Sequence, residues 1–277
     1  MTKRAAATGA AVFGVSAGGF ISAFSSFAAE VAAAAGGLAR RRFYAARYRV
    51  SKKADGEPVT EADGEVEEFI AAQIAEKYPN HGFLGEESGA RGDGENCWVV
   101  DPIDGTTNFI HQYDRCAVSI AFCQNGKAVA GAVHDITANE TFSAAKGEGA
   151  YLHNRRIRAA QGNTVGDALF IASGILDGGM WDMIRAMSAR TSGMRRSGST
   201  ALDLAFVAAG RADAMLCGPV RYWDVAAGAL LLREAGGLLA DSAGRTTFAF
   251  GEPTAHFAAG APGVFAAFAA ALKKHRA

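Results

Sequence analysis

The chain has 277 residues, 28 Lys+Arg against 28 Asp+Glu, and 49% hydrophobic residues. Such a composition buries a large core and excludes a disordered tail, and a formal net charge of zero argues against a nucleic-acid partner, whose footprint is a basic excess. The four cysteines, Cys97, Cys116, Cys123 and Cys217, form no C-x-x-C pair, which excludes the usual zinc and redox motifs and predicts reduced, buried thiols in a cytoplasmic protein.

Residues 1–23 read as an N-terminal extension or a processed leader, with Lys3 and Arg4 ahead of a run of Ala, Gly, Val and Phe. Glycine and serine dilute that run below what a membrane span requires, so no membrane contact is expected. Gly14-Val15-Ser16-Ala17-Gly18 matches the G-x-S-x-G pattern of a nucleophile elbow, but the strand such an elbow needs upstream is missing. An alanine-rich helix is predicted from Phe24 to about Arg49, weakened at Gly36-Gly37 by about 1 kcal/mol per glycine. Its end, Arg40-Arg41-Arg42 through Arg49, reads as a solvated face favoured by the helix dipole; an RNA or protein contact is the functional alternative.

A second helix starts near Thr60, where Thr60 and Asp63 stand in capping-box spacing, and ends at Pro79-Asn80. Trp98-Val99-Val100 reads as a buried strand that ends at Asp101, because Pro102 removes a ladder donor. Cys116–Gln124 and Ala128–His134 are strands joined through Asn125-Gly126, a type I′ hairpin signal, and Thr141–Ala145 with Gly149–Leu152 continues an antiparallel meander. Beyond a seam near Ala159–Asn163 the rhythm becomes β/α: strands at 168–172, 213–217 and 238–240, helices at 180–187, 200–209, 224–234 and 264–274. One domain over 24–277 is expected, with subdomains of about 24–160 and 161–277.

Three acidic segments sit where a solvated surface would not place them: Gly85-Glu86-Glu87-Ser88 after Phe83-Leu84, Asp101 to Phe109 after a buried strand, and Asp224 at the head of an apolar helix. Taken singly they are ordinary: a surface acidic pair, a turn, and a helix N-cap. Taken together with Gly105-Thr106-Thr107, whose backbone N–H groups open a helix, they form carboxylates beside an anion cradle. Two carboxylates about 5 Å apart repel by roughly 3 kcal/mol at an effective dielectric near 20, so a converging set needs divalent cations or shared protons. All-oxygen ligation selects a hard ion, and Mg²⁺ is the usual partner of phosphates. The D-x-D spacing of haloacid-dehalogenase-like phosphatases fails here, since two residues separate Asp101 from Asp104, and no P-loop string exists.

These segments resemble the inositol monophosphatase family of Mg²⁺-dependent, Li⁺-sensitive phosphatases. The resemblance rests on Pro58-Val59-Thr60-Glu61-Ala62-Asp63, Gly85-Glu86-Glu87-Ser88, Asp101 to Phe109, and Trp223-Asp224-Val225-Ala226-Ala227-Gly228 with Glu234-Ala235-Gly236-Gly237. It implies an α/β fold, the layered αβαβα sandwich also found in fructose-1,6-bisphosphatase, in a homodimer. It implies two or three Mg²⁺ ions held by Glu86, Asp101, the Ile103 carbonyl, Asp104 and Asp224. Thr106, oriented by Asp63, would position the attacking water together with Glu86. Asp104, Gly105, Thr106, Thr107 and Asp224 would touch the phosphoester, and Lys52 or Lys53 would stand near the active-site loop. Ala201 matches a small residue expected near the substrate ring. Cys217 aligns with a glutamate that grips polyol hydroxyls in inositol-specific members, and a thiol supplies no charged acceptors. The expected activity is hydrolysis of a small polyol phosphate, most simply an inositol 1-phosphate. The alternatives are another phosphomonoester (histidinol phosphate, fructose 1,6-bisphosphate, NADP or a nucleotide 3′-phosphate) or an RNA- or transcription-associated binder with residual phosphatase activity.

Overall fold

A computed structural model describes residues 17–92 and 94–274. Whether residues 1–16 are a leader, and most of the G-x-S-x-G match, lie outside the described residues. In chain order the elements are α1 (Ala17–Ala45), β1 (Val50–Lys52), β2 (Pro58–Thr60), α2 (Glu61–Lys77), β3 (Gly82–Gly85), β4 (Gly89–Arg91), β5 (Asn96–Asp104), α3 (Thr106–Ile110), β6 (Ala117–Gln124), β7 (Lys127–Asp135), β8 (Glu140–Ala145), β9 (Gly149–Leu152) and β10 (Arg155–Ile157). The remainder is β11 (Leu169–Ser173), α4 (Gly178–Ser188), β12 (Gly193–Arg195), α5 (Thr200–Ala208), β13 (Ala214–Cys217), α6 (Tyr222–Glu234), β14 (Leu238–Asp241), β15 (Phe257–Gly260) and α7 (Pro262–Lys274).

Strand periodicity sorts the first sheet's side chains into two cores. In β5, Trp98 and Val100 face one side and Val99 the other; in β6, Val118, Ile120 and Phe122 oppose Ala117, Ala121 and Cys123. The bulky side packs against α1 and α2 through Phe24, Phe27, Val31, Val66 and Ile70. The small side admits α5 and α6, whose Leu204, Leu230 and Leu231 reach both sheets. A third core, with Phe170, Met180, Ile184 and Phe268, lies between the second sheet and α4 and α7. The layers therefore run helix, sheet, helix, sheet, helix.

The first sheet has eight strands in the order β10-β9-β8-β7-β6-β5-β3-β4, antiparallel except for the parallel β3–β5 pair. The β6–β7 turn carries positive φ at both Asn125 and Gly126, as a type I′ hairpin requires. The second sheet is mixed, in the order β12-β11-β13-β15-β14, so the β/α rhythm is incomplete: β15 runs antiparallel to β13 and β14.

α1 begins at Ala17, ahead of the sequence-based start at Phe24, and stops at Ala45, short of Arg49. The helix extends over Gly18 and Gly19 despite their poor propensity, Ile21 already packs against the core, and Ala46 at φ 48° leaves the helix. By length and composition Ile21–Ala45 is apolar enough to cross a membrane, yet its apolar stripe is packed against protein. Gly36 has a packing role: a Cβ there would lie 2.0 Å from Cδ2 of the buried His134. Gly36→Ala is therefore expected to destabilise the fold by about 1–3 kcal/mol, although alanine is the better helix former by about 1 kcal/mol. Urea denaturation checks the sign.

Candidate active site

The site forms where β5 ends, α3 and α6 begin, and the β3–β4 turn comes alongside. Pro102 does not stop β5: pairing with β6 passes from Asp101↔Ser119 to Asp104↔Ala117 through a register shift. Pro102 sits inside that irregularity, where no ladder N–H is required, so the strand runs on to Asp104. The Asp101 carboxylate turns back to accept the Ile103 N–H at 3.0 Å. Carboxylate oxygens of Asp101, Asp104 and Asp224 lie within 4.8 Å of one another.

Asp224 arrives from the other side. It is the third residue of α6 and not its N-cap, because Tyr222 and Trp223 already belong to the helix; its Oδ2 accepts the Arg221 N–H at 2.9 Å. Ser119 Oγ donates to the Trp223 carbonyl at 3.2 Å and ties this first turn to β6. Glu86 follows β3, its N–H bonded to the Val100 carbonyl at 3.1 Å. Lys53 Nζ reaches Glu86 Oε1 and Glu87 Oε1, both at 2.7 Å, whereas Lys52 is exposed. Of the two lysines, Lys53 is the one at the site.

Gly105 joins β5 to α3 at φ 96°, and a Cβ there would meet the Arg115 carbonyl oxygen at 2.9 Å. Only glycine fits that approach. Asn108 Nδ2 clamps the turn by donating to the Arg115 and Ser197 carbonyls at 2.7 and 2.8 Å. The capping box at α2 serves two ends: Asp63 Oδ2 accepts from the Thr60 N–H at 2.8 Å, while Oδ1 accepts from Thr106 Oγ1 at 3.1 Å. Thr106 Oγ1 also lies 3.2 Å from the Ile103 carbonyl. Thr107 is exposed at the start of α3.

Burial sets the electrostatics. It pushes Asp101 well above the usual carboxylate range, reinforced by repulsion from Glu86, Asp104 and Asp224. Asp224 is raised well up by burial and then by Asp104 and Glu86. Burial lifts Asp104 to about 6, against hydrogen bonds from Ser199 and the Ala201 N–H. Glu86 and Asp63 are also raised by burial, opposed by Lys53 and Thr60 respectively. Burial opposes the charge on Lys53, but Glu86 and Glu87 outweigh it and raise that ammonium. A set of buried oxygens that repel one another and hold protons tightly suits a hard divalent cation, which would replace those protons.

Three positions were not singled out from the sequence. Glu67, one turn after Asp63, accepts the Glu87 and Ser88 N–H groups at 2.8 Å and shapes the loop that carries Glu86. Ser199 occupies the N-cap position of α5, yet its hydroxyl donates to Asp104 Oδ2 at 2.5 Å, beside the Ala201 N–H at 2.7 Å. Asp203, fully buried, accepts from Ser197 Oγ at 2.5 Å and keeps Oδ2 without a partner among the described residues. Burial raises it to about 7.

That raised value has a sign. The folded state holds the Asp203 proton more tightly than the unfolded chain, so stability from this group is full below about pH 4 and is lost as pH rises through about 7. Asp203→Asn is expected to stabilise metal-free protein at about pH 8 by roughly 2–4 kcal/mol and to change little near pH 4. Denaturant titrations at the two pH values in EDTA check this.

Ala201 and Cys217 are both 0% exposed. The Cys217 thiol is pushed far up by burial and by Asp203, Asp224 and Asp104, with the nearby Thr200 hydroxyl opposing. Thr200 Oγ1 in turn lies 3.1 Å from Ser173 Oγ. Cys217, which the family resemblance matches to a glutamate, is a buried thiol beside the hydroxyls of Thr200 and Ser173.

A model of the inositol monophosphatase family matches residues 21–277. The inositol-1-monophosphatase of Mesorhizobium japonicum is 41% identical over 204 residues, 71% of this chain and 76% of that protein. The Nus factor SuhB of Pseudomonas aeruginosa is 39% identical over 237 residues, 82% of this chain and 86% of its own length. Among solved structures, the extragenic suppressor protein suhB of Bartonella henselae superposes with a TM-score of 0.85 at 36% identity, covering 91% of this chain and 99% of that one. The Thermotoga maritima IMPase gives 0.83 at 30% identity, covering 91% and 97%. With its layered fold, its carboxylate cluster and a match over nearly its whole length, the chain belongs to the inositol monophosphatase family.

Proposed function

We propose that the chain is a Mg²⁺-dependent phosphomonoesterase acting on a small polyol phosphate, with inositol 1-phosphate as the first substrate to test. The observation that carries this reading is the convergence of Asp101, Asp104 and Asp224 oxygens within 4.8 Å beside the start of α3. Glu86, Asp101, the Ile103 carbonyl, Asp104 and Asp224 are the residues that would hold the ions, in the two or three sites the family resemblance implies. When bound, such ions neutralise the phosphate and acidify water, so that hydroxide is available at neutral pH.

The chain's own groups do the rest. Thr106 Oγ1 donates its proton to Asp63 Oδ1, which leaves its lone pairs to accept a hydrogen bond from the attacking water. Glu86, raised by burial, is a carboxylate able to accept that water's proton. The Gly105 and Thr106 N–H groups, with Thr107 beside them, are assigned to the phosphate oxygens, and Gly105 is the residue that lets the backbone turn there. Lys53 holds Glu86 in place when the cations are absent.

Cys217 and Thr200 are read as the determinants of what lies beyond the phosphate. Their neutral network supplies no charged acceptor for a diol, so loose recognition of several phosphomonoesters is expected. The test is a substrate panel with wild type and Cys217→Glu. We expect kcat/KM for inositol 1-phosphate to rise about tenfold in the variant relative to glycerol phosphate. An unchanged ratio in a folded variant assigns specificity elsewhere.

The same reading places the enzyme in the cytoplasm, where four buried free thiols persist, and pairs it as a homodimer. Arg42, in the last turn of α1, and Arg49, beyond its end, are paired with Glu65 and Glu61; the relatives named Nus factor SuhB support, as the second reading, a transcription-associated role alongside the phosphatase.

A further inference from the structure

A second concavity, away from the carboxylates, is enclosed by the β6–β7 turn, the β8–β9 turn, the outer face of α6 and residues 247–248. Its volume is about 300 Å³. The size suits a small organic molecule better than a lone ion. Val129, Leu230 and Phe248 give it an apolar lining, and Tyr222 closes the end nearest the first turn of α6. The wall at 247–250 is fixed by packing: Phe250 meets Tyr222 ring to ring at 5.4 Å, and Phe248 meets Phe257 at 5.0 Å.

The charges on this cavity are unbalanced. Lys127, Lys146 and Arg233 line it, and none of the three side chains has an ion pair or hydrogen bond among the described residues. Glu234 is the one acid present, and its two oxygens are already taken by the Gly147 and Gly149 N–H groups at 2.9 and 3.0 Å. Arg233 is exposed at the cavity's edge; partial desolvation pulls its pKa down, against the favourable charges of Tyr222 and Glu234. Three cations against the single Glu234 carboxylate leave the lining net positive, so an entering anion is attracted.

We propose that this cavity is a binding site for a small organic anion: a carboxylate, sulfonate or phosphate on an apolar, ring-sized body. The ring lies against Leu230, Val129 and Phe248, and the anionic group faces Arg233, Lys127 and Lys146. Neither half suffices alone. An inorganic anion leaves the apolar wall wet, and a neutral ring leaves the cations unpaired.

The probe is 8-anilino-1-naphthalenesulfonate, titrated by fluorescence into the folded, full-length protein, with the neutral N-phenyl-1-naphthylamine as its counterpart. Saturable binding at one site per chain is expected, about tenfold weaker for the neutral compound. The exposed double variant Lys127→Glu/Lys146→Glu is expected to weaken sulfonate binding about tenfold or more while leaving phosphatase activity and the thermal midpoint unchanged. Arg233→Gln should weaken it similarly; if that variant does not fold, the double variant decides alone. Equal affinity of the sulfonate for wild type and the double variant, equal affinity for the neutral compound, or no saturation would each overturn the proposal.

Discussion

Asp104→Asn is expected to lower divalent-cation-dependent phosphate release by about 10³-fold or more while making the metal-free protein more stable. The two effects share one cause. Asp104 is buried to 8% exposure among Asp101, Asp224 and Glu86, and each such contact costs roughly 3 kcal/mol at about 5 Å with an effective dielectric near 20 when both groups are ionised. Removing one charge relieves that repulsion. Asparagine can still accept from Ser199 Oγ and the Ala201 N–H through its amide oxygen, so the turn from 199 to 201 is kept. What disappears is the anionic group proposed to hold the ion. Thermal melts in EDTA and in millimolar Mg²⁺ separate the effects: wild type should gain stability on adding Mg²⁺, and the variant should start higher and gain little. A variant that loses activity together with metal-free stability would mean that Asp104 serves the fold and not the ion.

The second large effect belongs to Thr106. Thr106→Ala is expected to reduce kcat by about 10²–10³ with a much smaller change in KM, because the role proposed for the hydroxyl is to orient the nucleophile and not to hold the substrate. Metal affinity should be unchanged, which a titration followed by calorimetry would show. Asp63 gives the comparison. Its carboxylate orients Thr106 through one oxygen and caps α2 through the other. Asp63→Asn should therefore repeat most of the kcat loss and add a stability loss of about 1 kcal/mol from the weakened cap. If Thr106→Ala retained full kcat, the positioning role would fall even though the hydrogen bond exists.

Much of this was legible before any coordinates, for physical reasons that differ by element. The α2 capping box, the Asn125-Gly126 hairpin and the buried strand at Trp98 are short-range signals, in which local sequence and local structure agree. The three acidic segments were legible because burying so many carboxylates makes no sense for stability alone. β15 was not: Phe257-Ala258-Ala259-Gly260 lacks β-branched residues and exists because β13 and β14 pair with it on either side. Glu67 reads as one more solvated acid in Val66-Glu67-Glu68, since its partners lie 20 and 21 residues away. Ser199 reads as an ordinary helix cap, because only the fold brings Asp104 to its hydroxyl. Asp224 moved from N-cap to third helical residue because helix boundaries are set by the first turn's tertiary contacts, here Ser119 on the Trp223 carbonyl.

The most direct measurement is inorganic phosphate released from inositol 1-phosphate by the purified full-length protein, assayed with millimolar Mg²⁺ and again with excess EDTA. Turnover in Mg²⁺, its loss in EDTA and its recovery on adding Mg²⁺ back are expected, and none of these in Asp104→Asn. Phosphate release that persists in EDTA, or that survives in Asp104→Asn at wild-type rate, would contradict the proposed metal-dependent hydrolysis.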